Sequence, residues 1–186
     1  MDVPRIETPR LILRAFQPDD VVPFCTEMAD DDFARSITAE GRALDHGESW
    51  RRFCFLAGHW AACGFGNFAV EEKASGSFVG HVGPLHPPGW PGLEIGWAIF
   101  PRAQGRGYAP EAAAAAFRWA HEALVCNETL HMIDPENPAS EKVARALGAG
   151  PGAMWTPFWP NARPVRKWTT RWAAFTGSVA YARLTG

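Results

Sequence analysis

Residues 10–16 (Arg-Leu-Ile-Leu-Arg-Ala-Phe) place Leu11, Leu13 and Ala15 on one side, the period-two pattern of a half-buried strand. Gln17-Pro18-Asp19-Asp20 then supplies turn and cap residues, and Val21, Phe24, Cys25 and Met28 follow at helical spacing, with Pro23 in the tolerated first turn. Asp45-His46-Gly47-Glu48 opens a second helix, in which Trp50, Phe53, Cys54 and Ala57 share a face. Residues 66–72 and 77–82, joined by a turn at 73–76, predict a β-hairpin. Five residues of the stretch 86–92 are Pro or Gly after its opening His86, which makes it a loop. A strand over 93–100, an alanine-rich helix over 109–125 opened by Pro110, and a short buried strand over 130–133 follow. Asn137 caps a further helix with Pro138 at its first position and Gly148 beyond its end. Strands near 153–159 and 166–175 complete the order β-α-α-β-β-β-α-β-α-β-β, an α+β fold with a mixed sheet.

The chain has 186 residues, 47% of them hydrophobic and 20% charged, which fits one domain over residues 1–186 and is too short for two full ones. A formal charge of −2 argues against whole-chain attraction to nucleic acid or an anionic membrane, even with Arg163, Arg166, Lys167 and Arg171 close in sequence. No apolar run approaches the roughly 18 residues of a membrane span, and Met1 to Arg14 lacks a signal-peptide core, so a cytoplasmic location is expected. Cys25, Cys54, Cys63 and Cys126 show no paired spacing, and Cys54, His59 and Cys63 lack a fourth ligand, so neither disulfides nor a metal is expected. Nine Trp and twelve Phe point to a lined pocket or an oligomer interface, in a monomer or a homodimer.

The stretch that carries chemistry is Gln104-Gly105-Arg106-Gly107-Tyr108-Ala109, a glycine-rich turn between a strand and a helix. Glycines there allow positive φ, so successive N–H groups can converge on an anion in front of the positive end of the helix dipole. No Gly-Lys-Ser/Thr follows, and Pro110 stands where a dinucleotide fingerprint needs its third glycine or alanine. On these residues alone, a phosphate site and an ordinary connection both remain open.

Gln104-x-x-Gly107-x-Ala109 resembles the Q/R-x-x-G-x-G/A signature of the GNAT superfamily of N-acetyltransferases. Glu94-Ile95-Gly96-Trp97 is similar to the E-I-G-Y/W strand of its ribosomal-protein alanine N-acetyltransferase (RimJ/RimL-like) branch, and Tyr108 to Ala112 to that branch's G-Y-A-T-E-A. Asn137-Pro138-Ala139-Ser140 with Leu147-Gly148, and Thr8-x-Arg10-Leu11 with Leu13-Arg14, also resemble its elements, in family order from about residue 6 to 175.

The resemblance implies a central, mostly antiparallel sheet flanked by helices and acetyl-coenzyme A as acetyl donor, with no metal. Its pantetheine arm would enter between the strands at 93–100 and 130–133, with Ile99 as a main-chain contact. Its pyrophosphate would rest on Gln104, Gly105, Arg106, Gly107, Tyr108 and Ala109, with Arg106 as charge partner. Pro110 departs from the usual Thr, removing an N–H and a hydroxyl. Transfer to a primary amine requires a base, and Glu94 is the candidate, since burial in an apolar strand would raise its pKa; the competing reading points it outward or pairs it with an arginine. Ser140 is the candidate donor to the thiolate, or a capping residue, because the tyrosine acid of many relatives is Ala144 here. Backbone N–H groups near Trp97 and Ala98 would polarise the carbonyl. Trp97 either lines the acetyl pocket or packs in the core, and Asn137 either bonds coenzyme or only caps its helix. His131 reads as a satisfied core histidine, and Asp30 to Asp32 as a solvated helix end. The acceptor implied is a protein or peptide N-terminus or a small-molecule amine, with an aromatic wall from Trp155, Phe158, Trp159, Trp168 and Trp172; the alternation of Trp168, Thr170 and Trp172 equally fits one packed face of a strand. The alternative is a catalytically inactive acyl-coenzyme A binding regulatory module of the same fold.

Overall fold

The computed structural model describes residues 2–35, 37–38, 41–157 and 162–185. The elements are β1 (Ile6–Glu7), β2 (Leu11–Arg14), α1 (Val21–Met28), α2 (Asp31–Arg35), α3 (His46–Cys63), β3 (Phe68–Glu72), β4 (Phe78–Leu85) and β5 (Glu94–Ile99). Then come α4 (Tyr108–Leu124), β6 (Glu128–Ile133), α5 (Pro138–Ala146), β7 (Gly150–Trp155), β8 (Val165–Arg171), α6 (Trp172–Phe175) and α7 (Val179–Thr185). The eight strands form an open, mostly antiparallel sheet in the order β1-β2-β3-β4-β5-β6-β8-β7, flanked by helices.

The sheet is two antiparallel halves joined at one place. Strands β1 to β5 pair in sequence, and β6 pairs with β8 along its whole length, from Glu128 opposite Arg171 to Ile133 opposite Arg166. Between the halves, parallel β5 and β6 share a single paired position, Glu94 with Leu130. Beyond it they part.

Period-two alternation sorts the side chains into two cores. On one face Leu11, Leu13, Val70, Val82, Ile95 and Ile99 pack under α4, whose five successive alanines Ala112 to Ala116 are buried. Those small side chains let α4 lie against the sheet while Phe117 and Ala120 meet the C-terminal segment. On the other face Ala69, Phe78, Ala98 and Phe100 meet Phe24 and Met28 of α1 and Phe53 and Leu56 of α3. Glu94 lies on this second face, in step with Ala98. Helix α3 starts with a reciprocal Asp45 and Glu48 capping box and stops at Gly64, whose φ of 78° is the left-handed conformation a glycine adopts without strain.

Several boundaries differ from the expected ones. The last strand ends at Arg171 rather than continuing to residue 175, because Trp172 opens α6 and stacks its ring 3.6 Å from that of His121. The strand expected near 153–159 runs over Gly150–Trp155, and Phe158 and Trp159 lie outside the described residues. β1, α2, α6 and α7 were not anticipated; each is too short for a periodic pattern to register. Asp30 and Asp31 turn out to be local anchors: Asp30 accepts from the Phe33 N–H at 2.8 Å and Asp31 from the Ala43 N–H at 2.7 Å.

The alanine layer yields a stability prediction. Ala114→Leu inserts a branched side chain where exposure is 0%. The expected cost is about 1–3 kcal/mol, read as a lower midpoint in chemical denaturation, and an unchanged midpoint would contradict the close packing.

Candidate functional site

Two parallel strands that part leave main-chain groups facing a gap, and every such group needs a partner. Leu130 donates its N–H to the Leu93 carbonyl at 2.9 Å, closing the paired end. One residue pair further on, the Ile95 carbonyl accepts from His131 Nδ1 at 2.8 Å, and the Ile99 carbonyl accepts from the Gln104 side-chain amide at 2.8 Å. Strand alternation therefore aims the main chain of Leu93, Ile95, Trp97 and Ile99 at the gap, and that of Ala98 at β4. Trp97 is the position whose N–H and carbonyl open on the gap without a bridging side chain among the described residues. Ala98, expected to share that role, instead offers its methyl group to the second core, with its main chain in register with His81 of β4.

A cavity of about 550 Å³ opens beside the gap, lined among others by Glu94, Trp97, Ala98 and Ser140. Glu94 is half-buried on its wall. Its carboxyl makes two bonds, both from neutral donors: Trp90 Nε1 to Oε2 at 2.8 Å and the Met132 N–H to Oε1 at 3.3 Å. Burial pushes its pKa up to about 7, outweighing those two hydrogen bonds and the nearby charge of Arg52, which all favour the carboxylate. So Glu94 forms no ion pair among the described residues, and burial holds it at the protonation balance a base working near neutral pH needs.

Across the gap, Asn137 accepts the Ser140 N–H at 3.0 Å and so caps α5. Ser140 Oγ in turn accepts from Trp97 Nε1 at 3.3 Å, which leaves the hydroxyl proton of Ser140 to be donated elsewhere. Trp97 thus spans the gap, its ring also 5.0 Å from that of His131. His131 is fully engaged: Nδ1 donates to Ile95, Nε2 accepts from Thr170 Oγ1 at 2.7 Å, and burial lowers its pKa to about 4. It is a neutral strut between the sheet halves.

The glycine loop follows a short turn at Pro101–Ala103. Gly105 and Gly107 have φ of 76° and 77°, and Gly107 caps α4 without a side-chain partner. The Gln104 N–H is spent on the Pro101 carbonyl at 3.2 Å; among the described residues, the N–H groups from Gly105 to Ala109 donate to no turn or loop carbonyl. Pro110, in the first turn of α4, removes a donor the helix would leave free in any case. Arg106 points away toward Glu72, pairing at 3.0 Å, and Tyr108 donates its hydroxyl to the same carboxylate.

The loop's shape is set from the far end of the chain. Arg10 donates to the carbonyls of Arg106 at 2.8 Å and Gly107 at 3.2 Å, turning those oxygens to one side so that the N–H groups face the other. Buried Glu111 holds Arg10 in place, accepting from its Nε at 2.7 Å, from its main-chain N–H at 2.9 Å, and from Thr8 Oγ1 at 2.6 Å. The Thr-x-Arg opening and Glu111 are thus one network. Free loop amides at a helix start and an unpaired strand edge fit a long phosphorylated thioester such as acetyl-coenzyme A.

Other residues enter the site without a sequence signal. His81 donates Nδ1–H to Asn67 Oδ1 at 2.8 Å, the Asn67 orientation being fixed by the hydrogen bond that its Nδ2 donates to the Gly83 carbonyl at 3.2 Å. Its Nε2 is then a buried lone pair on the cavity wall that finds no partner among the described residues, and burial lowers its pKa to about 3. Phe55, Trp90 and Trp97 supply the aromatic lining, and Trp155 stacks edge-on behind Trp90 at 5.2 Å. Trp168 and Trp172 do not line it: the first is buried in the core and the second packs on α4. His59 is used at the end of α3, bonding the Phe65 carbonyl at 2.6 Å, and among the described residues no group of three or more His, Cys, Asp or Glu could hold a metal ion. No helix among them is long and apolar enough to cross a membrane.

Comparison with known proteins agrees with this geometry. The model of the acetyltransferase (GNAT) domain matches residues 10–150. The uncharacterized protein YkkB of Bacillus subtilis (strain 168) is 35% identical over 81 residues, 42% of this chain and 47% of that protein, so the match spans about half the length of this curated relative. An acetyltransferase from Agrobacterium tumefaciens str. C58 superposes with a TM-score of 0.78 at 28% identity, over 90% of this chain and 95% of that one. The spermidine N-acetyltransferase from Vibrio cholerae, solved with CoA and spermine, shares the fold with a TM-score of 0.70 at 18% identity, over 89% of this chain and 97% of its own. The matched span, from Arg10 to the start of β7, contains the loop, the gap and most of the cavity lining, and the chain belongs to the GNAT acetyltransferase family.

Proposed function

We propose that this protein is an acetyl-coenzyme A dependent N-acetyltransferase acting on a primary amine by direct attack, with Glu94 as base. The observation that carries the reading is a carboxyl poised near pH 7 on a cavity wall, one strand position from the point where β5 and β6 part. Bound in the gap, the coenzyme supplies an activated thioester. Glu94 takes a proton from the amine, directly or through one water, as the nitrogen attacks the acetyl carbonyl. The Trp97 N–H, open on the gap, is placed to stabilise charge developing on the carbonyl oxygen. As the carbon–sulfur bond breaks, Ser140 donates its hydroxyl proton to the thiolate and regains one from solvent. Ser140 fills this place because Ala144 has no acidic group. The free amides from Gly105 to Ala109 support pyrophosphate binding, and Arg106 contributes to the loop's shape through Glu72.

The acceptor class spans protein or peptide N-termini, as in the ribosomal-protein branch the sequence resembles, and small amines, spermidine being one in the printed name of a structural relative. Four free cysteines, two of them exposed, fit a reducing compartment such as the cytoplasm. Calorimetric titration of acetyl-coenzyme A, followed by a thiol-release assay over peptides and small amines, tests the reading. Binding with release supports it, and binding without release from any amine would instead indicate a non-catalytic acyl-coenzyme A binding module.

Four outcomes are expected. Glu94→Gln lowers kcat by about 10²-fold or more while acetyl-coenzyme A still binds. In the wild type, kcat/KM climbs with an inflection near pH 7 as Glu94 loses its proton, and Glu94→Gln lacks that inflection. Trp90→Phe removes a donor that favours the carboxylate, so the inflection moves upward by roughly one pH unit; a downward shift would contradict the assignment. Glu111→Gln loosens Arg10 and raises the Kd for acetyl-coenzyme A by about tenfold, as does Arg10→Lys, which lacks the planar fork whose separate nitrogens bind the two loop carbonyls and Glu111; an unchanged Kd in both would show that the loop holds its shape alone.

A further inference from the structure

We propose that the acceptor is a small amine with a hydroxyl at the far end of an apolar spacer, and that His81 Nε2 accepts a hydrogen bond from this hydroxyl while the amine faces Glu94; this rests on the acetyltransferase reading above. That reading uses Glu94, Ser140 and the Trp97 N–H, and it leaves one polar atom of the cavity wall idle. His81 is 5% exposed, and its neighbour fixes its tautomer. Asn67 donates Nδ2–H to the Gly83 carbonyl, so its Oδ1 faces His81 Nδ1, and Nδ1 must carry the proton. Nε2 is therefore a buried lone pair, with no partner among the described residues. The ring lies against those of Phe24 and Phe16, with centroids 5.8 Å and 6.5 Å away. Burial there keeps it neutral, its pKa lowered to about 3. A buried acceptor without a donor costs free energy that a donor on the ligand returns.

The lone pair selects the kind of donor. A carboxylate would meet it lone pair to lone pair. An ammonium group would lose its hydration beside aromatic rings, and among the described lining residues the one carboxyl group is Glu94, already opposite the reacting amine. A hydroxyl donates with no charge to bury. The strand register then sets the spacing. Glu94 stands opposite Leu85, Gly96 opposite Gly83, and Ala98 opposite His81. Glu94 and His81 thus share a face of the sheet, their backbone positions about 13 Å apart along the strands, and the glycine pair between them carries no side chains. Beyond its chain neighbours, a Cβ built on Gly96 would meet only the Glu94 carboxyl, at 3.8 Å, so protein does not fill the space between the two groups. Leu56 and Leu85 line the same cavity and offer apolar surface to a methylene spacer. An N-terminal serine holds its hydroxyl too near its amine to span this distance. In the reaction, the amine nitrogen forms its bond to the acetyl carbon as the carbon–sulfur bond of acetyl-coenzyme A breaks. The nitrogen's proton goes to Glu94, the thiolate gains one from Ser140, and the products are an N-acetyl amino alcohol, its hydroxyl unchanged, and free coenzyme A.

The test is steady-state thiol release at saturating acetyl-coenzyme A with linear amino alcohols of about four to six carbons, amine and hydroxyl at opposite ends. Each is set beside the alkylamine that carries a methyl group in place of the hydroxyl and the diamine that carries an ammonium group there. Members of a set share their length and have amines of similar basicity, and an apolar cavity alone would favour the methyl group. The expected result is a kcat/KM for the best amino alcohol at least about tenfold above both of its partners, and in His81→Phe the alcohol-to-alkylamine ratio falls by about tenfold. The ratio within one variant cancels any general loss of activity, and acetyl-coenzyme A titration reports whether the variant is folded. If it is not, the wild-type ratios decide. A second readout is the NMR resonance of His81 Nε2, which moves on titration with the amino alcohol and stays in place with the alkylamine. Preference for the alkylamine or the diamine, turnover of a peptide with N-terminal serine ahead of every amino alcohol, or a ratio indifferent to His81 overturns this proposal and leaves the acetyltransferase reading standing. Coenzyme binding with no release from any of these amines and no movement of the resonance overturns it too, and the wider peptide panel then decides the acetyltransferase reading by itself. No release with the resonance moved by the amino alcohol supports the hydroxyl site and counts against acetyl transfer.

Discussion

The pairing of β5 with β6 at Glu94 and Leu130 alone is the constraint on which the rest depends. A parallel pair that continued would satisfy every main-chain group and leave no room for a ligand; one that parts must find other partners for those groups. Here the partners are side chains at both ends of the opening. His131 closes the inner end through Ile95, and Gln104 closes the outer end through Ile99. Between them Trp97 is left open. The sheet tolerates this because each half is stabilised independently, β1 to β5 by consecutive antiparallel ladders and β6 by its full pairing with β8. The opening is therefore a boundary between two well-paired units rather than a defect inside one.

What was legible in the sequence follows from locality. The alternation at Leu11 and Leu13, the helical spacing from Val21 to Met28, the alanine run of α4 and the Asn137-Pro138 start of α5 are each written in consecutive residues, and each element stands where its pattern placed it. The C-terminal strand was read too long because Trp168, Thr170 and Trp172 alternate, whereas Trp172 leaves the sheet to pack on Phe117 and His121, a tertiary contact that no local pattern encodes. The site divides the same way. Glu94, Trp97 and the glycine loop lie in contiguous stretches, so a local pattern is enough to single them out. Arg52, His81 and Trp90 come from a helix, a neighbouring strand and a loop that meet only after folding, and each alone reads as an ordinary surface or core residue.

The glycine loop shows how a motif can be local in sequence yet depend on distant residues for its shape. Positive φ at Gly105 and Gly107 permits the loop its conformation, but permission does not select it: a glycine-rich segment has many alternatives of similar energy. Arg10 selects among them by binding two loop carbonyls at once, which fixes the direction of the opposite N–H groups. A guanidinium that long and flexible must itself be restrained, and buried Glu111 does this with a bond to the Arg10 side chain and another to its main chain. Because Glu111 lies in the first turn of α4, its negative charge is also favoured by the helix dipole. The loop, the strand that fastens it and the helix it introduces are thus one electrostatic unit. That unit explains why Pro110 is tolerated: Arg10 holds the carbonyls to one side, the amides of Gly105 to Ala109 donate to no turn or loop carbonyl among the described residues, and the donor lost at Pro110 is one that the first turn of a helix leaves free in any case.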